Sequence, residues 1–70
     1  MKSQVGAEAV KVFQKAGWIL RGYVGSHAVL TKEGHRANLS IPQHKELAIG
    51  TLRSLIRYAG MTVHEFTELL

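Results

Sequence analysis

The sequence has no cysteine and, in 70 residues, a single proline at position 42. Without thiols there is no disulfide staple, no thiolate nucleophile and no cysteine-based zinc site. No apolar run approaches the roughly 20 residues of a membrane-spanning helix, and the N-terminus lacks the apolar stretch of a secretory signal. A soluble, cytoplasmic protein with no membrane partner is expected. Acidic residues are few: five Asp+Glu stand against nine Lys+Arg, a net charge of +4 with histidines neutral. That balance favours an anionic partner such as nucleic acid. No linker, repeat or low-complexity stretch interrupts the chain, so residues 1–70 read as one domain. A chain this short buries only about 60% of its unfolded surface, which leaves room for a shallow site or a binding face.

Apolar spacing supplies the elements. Val5, Ala9, Val12, Phe13 and Ala16 recur at helical spacing behind a Ser3 cap, and Gly17 stops the run, which predicts an amphipathic helix over ~4–16. Gly6 lies in its first turn region, and glycine weakens a helix by up to about 1 kcal/mol if it falls in the interior. Three short strand-like runs follow: Trp18 to Val24, His27 to Thr31, and the alternating Arg36 to Ile41, closed by Pro42. Tight turns between them make an antiparallel meander. Leu52, Leu55, Ile56 and Ala59 give a second helix with Thr51 as its cap, and Gly60 ends it. Thr62 and Glu65 form a capping-box pattern at the head of a short terminal helix, with Met61 and Phe66 at the staple positions. The expected fold is α+β: a three-stranded antiparallel sheet with two helices on one face, in the order α-β-β-β-α, plus the short C-terminal helix.

Such a sheet has one dry and one wet face, and chemistry belongs on the wet one. A four-residue turn at Lys32–His35 places Thr31 opposite Arg36, Val29 opposite Asn38 and His27 opposite Ser40. In the first strand Trp18, Leu20 and Val24 then point inward, and Ile19, Arg21 and Tyr23 outward. The open face thus collects His27, Tyr23, Arg21, Arg36, Asn38 and Ser40. This arrangement requires a three-residue loop or a bulge at Gly25–Ser26; a two-residue turn there would instead pair Val24 with His27 on one face. A histidine can take a proton from a ribose 2′-OH or give one to a leaving oxygen. Arginines beside it can hold phosphate, and a tyrosine can stack on an unpaired base. Trp18 is expected in the core. His35 and His64 are expected in solvent and His44 either beside the sheet edge or in a loop, and no histidine spacing suits a metal. The segment from Lys2 to Arg57 carries all nine basic residues and three glutamates, whereas the terminal helix carries Glu65 and Glu68 alone. A nucleic-acid footprint belongs on the sheet and the first two helices.

The ordered set Gly17-Trp18, Gly25-Ser26-His27, Ile41-Pro42-Gln43-His44 and Ile49-Gly50-Thr51-Leu52-Arg53-Ser54-Leu55-Ile56-Arg57-Tyr58-Ala59-Gly60-Met61 resembles the HicA (YcfA-like) toxins of bacterial toxin–antitoxin systems. The resemblance extends through Thr62-Val63-His64-Glu65-Phe66 and so covers nearly the whole chain. It implies a fold like the double-stranded-RNA-binding domain. It implies an endoribonuclease acting on single-stranded mRNA, with the motif histidine, His27, as general acid or base and no metal or other cofactor. It also implies neutralisation by a HicB-like antitoxin, with DNA reached only through that antitoxin. With His27 as the catalytic residue, Arg21, Tyr23, Lys32, Arg36 and Lys45 are the expected RNA contacts. Where many members carry a histidine or an aromatic after the motif histidine, this chain has Ala28-Val29-Leu30, which leaves fewer groups for a second acid or base. A non-catalytic RNA-binding module is the alternative. A helix-turn-helix reading of residues ~51–70 fares worse, because its recognition helix would be acidic.

Overall fold

The computed structural model describes residues 4–43 and 46–70. The chain runs β1 (Gln4–Val5), α1 (Gly6–Lys15), β2 (Ile19–Val24), β3 (His27–Thr31), β4 (Leu39–Pro42), β5 (Glu46–Leu47), α2 (Ile49–Tyr58) and α3 (Val63–Glu68). β2, β3 and β4 form the expected antiparallel sheet, with β3 in the centre. A second, two-stranded ribbon pairs β1 with β5, Gln4 opposite Leu47 and Val5 opposite Glu46. Two-residue strands carry no readable alternation, so this ribbon had no signature in the sequence.

The helices cover one face of the sheet. Ala28, Leu30, Leu39 and Ile41 point into them and are fully buried with Phe13, Leu52, Ile56 and Phe66. α1 buries Ala9, Val12 and Phe13 of the stripe read from its spacing, and Val10 beside them. The short α3 is anchored by Phe66, whose ring lies 5.4 Å from that of Phe13 at 58°, a tilted arrangement that aromatic pairs prefer. The capping box at its head is formed: the Glu65 amide donates to Thr62 Oγ1 at 3.1 Å, and the Thr62 amide donates to Glu65 Oε1 at 2.8 Å. At its other end Lys15 Nζ donates to the Leu69 carbonyl at 3.0 Å.

Five expectations need correction. α1 starts at Gly6, and the expected Ser3 cap lies outside the described residues. Gly6 is no weak point, because a Cβ there would run into the Pro42 carbonyl; only glycine lets α1 start against the end of β4. α2 starts at Ile49 behind Ala48, so Thr51 sits inside the helix and caps nothing. β4 starts only at Leu39. Residues 32–38 form a long loop, because His35 folds inward. Its ring packs 4.8 Å from that of Trp18, and its Nδ1 lies 3.2 Å from the Ala37 carbonyl oxygen. A histidine expected in solvent thus anchors the loop, and the alternation from Arg36 to Asn38 belongs to that loop.

Candidate active face

β2 and β3 are joined by Gly25 and Ser26 alone, with Val24 directly opposite His27. Gly25 has φ +61° and Ser26 does not have a positive φ, the pattern of a two-residue hairpin turn with glycine at its first position. The sheet's irregularity lies further back, at Arg21. Leu20 faces Leu30 and Gly22 faces Val29, so Arg21 is the extra residue of a bulge. Gly22 follows with φ +153°.

Moving the bulge from the turn to Arg21 exchanges two residues between faces. Directly paired residues share a face. Val24 pairs with His27 and joins the open face, where it is 72% exposed. Tyr23 pairs with Ala28 and belongs to the helix-covered side, although it is 62% exposed beyond the helices. The register between β3 and β4 is likewise two residues from that expected. His27 faces Pro42 and Val29 faces Ser40. A two-residue shift preserves the side-chain alternation, so His27 stays on the open face.

His27 therefore sits half-buried between Val24 and Pro42. Among the described residues no side chain hydrogen-bonds its imidazole. Two further contacts hold this end of the sheet: the Gln43 amide donates to the Ser26 carbonyl at 2.8 Å, and Gln43 Nε2 donates to the Ile41 carbonyl at 3.0 Å. One step from His27, Gly22 faces Val29, and the space where its Cβ would stand is empty. The imidazole thus borders a bare patch of backbone at the middle of the open face.

The expected RNA contacts are dispersed. Arg21 shares the open face; its Nε donates to Thr31 Oγ1 at 2.9 Å. Thr31 is four residues along β3 from His27, roughly 13 Å at the usual strand rise, so the guanidinium rests at the far end of the face. Arg36 lies in the β3–β4 loop at that same far end, not on a strand. Lys32 turns towards the helices, where it lines a cleft of about 410 Å³ with His64, Glu65 and Glu68. Tyr23 is on the other side of the sheet. Lys45 and His44 lie outside the described residues. Exposed His64 pairs with Glu68 at 3.4 Å. Among the described residues no group of three His, Asp or Glu side chains could hold a metal ion, and no helix is long and apolar enough to cross a membrane.

Sequence reasoning missed Val24, Gly22 and Gln43. Gly22 had a signal, an isolated glycine inside a strand pattern, which marks a bulge.

A family model described as the HicA toxin of bacterial toxin–antitoxin systems matches residues 6–61. That span runs from the glycine at the start of α1 to the residue before the cap of α3, and it includes the whole open face. No curated protein sequence matches the chain.

Proposed function

The chain belongs to the HicA toxin family of bacterial toxin–antitoxin systems, and from that premise we propose that it is an endoribonuclease that cleaves single-stranded mRNA with His27. The observation that carries this reading is the place of His27: a half-buried imidazole at the start of β3, on the open face beside backbone left bare by Gly22.

A single-stranded substrate can lie across that patch with a ribose against Gly22 and Val29. The imidazole takes the proton of the 2′-OH as the 2′-oxygen bonds to phosphorus. The bond from phosphorus to the 5′-oxygen breaks, and a proton from solvent completes the 5′-hydroxyl. The products are a 2′,3′-cyclic phosphate and a free 5′-OH. Arg21 contacts the strand away from the scissile phosphate, since its guanidinium rests at the Thr31 end. It contributes to binding more than to the chemical step. Tyr23, Lys32, Arg36 and Lys45 remain proposed contacts for a longer RNA that wraps past the sheet's ends. A HicB-like antitoxin is the proposed protein partner.

An RNA oligonucleotide with a single 2′-deoxy sugar at its preferred cleavage position tests the mechanism. Cleavage at that position should stop while neighbouring positions stay labile. Undiminished cleavage there rules out attack by the 2′-oxygen.

A further inference from the structure

β4 is an edge strand, and its free edge faces a groove. The amide of Gln43 donates to the Ser26 carbonyl, which sets the phase of the β3–β4 ladder. Antiparallel pairs alternate between bonded and non-bonded. With Gln43–Ser26 bonded, the pairs Ile41–Ala28 and Leu39–Leu30 are bonded too, and the pair Ser40–Val29 is not. The Ser40 N–H and C=O therefore point away from the sheet. No strand among the described residues pairs with them. An unpaired edge of this kind is a template for another chain.

Beside that edge runs α2. Between the two is an open cleft of about 310 Å³. Leu39 and Leu55 form its apolar floor, and Thr51, Ser54 and Tyr58 form the helix wall. One wall is thus main chain with free donor and acceptor groups, and the other is a helix face of hydroxyls. The combination suits an extended polypeptide, which bonds to the edge and places alternate side chains in the groove. The charges select its composition. α2 carries Arg53 and Arg57 and no acidic residue. Arg57 neighbours Ser54 on the helix surface, three residues on, and Arg36 lies two residues before Asn38 at the groove's end.

We propose that the β4–α2 groove binds an extended, acidic segment of the protein partner, which adds to the sheet as a fourth strand at Ser40. This rests on the antitoxin reading above and gives it a second docking point. Pro42 has no N–H to donate, so the added strand ends before the residue paired with His27. Docking at the edge and covering of His27 are therefore separable.

The test uses the full chain and a HicB-type antitoxin that co-purifies with it. Amide hydrogen exchange is followed at Ser40 with and without antitoxin, and affinity is measured for the parent, Ser40→Ala, Ser40→Pro and Thr51→Glu. Ser40→Pro removes the outward N–H, which the fold does not use. Thr51→Glu places a negative charge on an exposed position in the groove, so the idea stays testable if the proline variant fails to fold. Protection of the Ser40 amide by antitoxin, with binding weakened about tenfold in Ser40→Pro and Thr51→Glu but not in Ser40→Ala, is the expected result, the size being that of one lost main-chain hydrogen bond. Antitoxin that binds the parent, leaves Ser40 unprotected and tolerates Thr51→Glu overturns the groove while leaving the partner reading intact. Failure of the folded parent to bind antitoxin overturns both. Protection of Ser40 by RNA alone, or by raising the concentration of the chain alone, also overturns the proposal, in favour of a nucleic-acid groove or of self-association.

Discussion

His27 is the cross-strand partner of Pro42, and the Pro42 carbonyl lies where a side chain on Gly6 would stand. The start of α1, the end of β4 and the candidate catalytic residue are thus one packing unit. A single residue, Pro42, stands between Gly6 and His27.

Gly6→Ala should therefore destabilise the protein, although alanine is the better helix former by about 1 kcal/mol. Overpacking of a closed contact typically costs about 1–3 kcal/mol, and that effect should win. Urea denaturation reads it directly. A variant more stable than the parent would show that α1 starts clear of Pro42.

Gly22→Ala is expected to act at the bulge. At φ +153° a side chain is strained, by an amount of order 1–3 kcal/mol, and it also fills the empty space beside Val29. Loss of stability should accompany a loss of cleavage in the fraction that remains folded. Wild-type cleavage by this variant would contradict a ribose resting on that patch.

For Arg21→Ala the expectation is a higher KM with kcat little changed, because the guanidinium is bonded to Thr31, far along the face from His27. Its binding to single-stranded RNA should depend less on salt, the slope of log affinity falling by about 0.7 for one phosphate contact. A collapse of kcat with KM unchanged would place Arg21 at the scissile phosphate instead.

α3 gives a graded pair. Phe66→Ala should lose about 3–5 kcal/mol, as a buried aromatic does, since it faces Phe13 in the core. Thr62→Ala should lose about 1 kcal/mol, the usual worth of a helix cap. Equal losses in thermal melts would mean that α3 is held by something other than the Phe13–Phe66 contact.

Long periodic segments were legible in the sequence. The stripe of α1, the capping box at Thr62 and the inward set Ala28, Leu30, Leu39 and Ile41 all follow from spacing and burial. Register was less legible, because it is fixed by turns. The loop after Thr31 is lengthened by the His35–Trp18 contact, a tertiary interaction that local spacing does not encode. The bulge at Arg21 likewise decides which of Tyr23 and Val24 shares a face with His27. His27 itself stayed on the open face because a two-residue register change preserves alternation. Of the two arginines expected beside it, Arg21 shares its face but rests at the Thr31 end, and Arg36 lies in the loop before β4.

Cleavage of a labelled single-stranded RNA by the parent and by His27→Ala, both shown folded by circular dichroism and both assayed in EDTA, tests the catalytic assignment most directly. The parent should cut and the variant should not. Equal cutting by both would remove His27 from the chemistry, and no cutting by either, with salt-sensitive RNA binding retained, would make the chain a binding module on this fold.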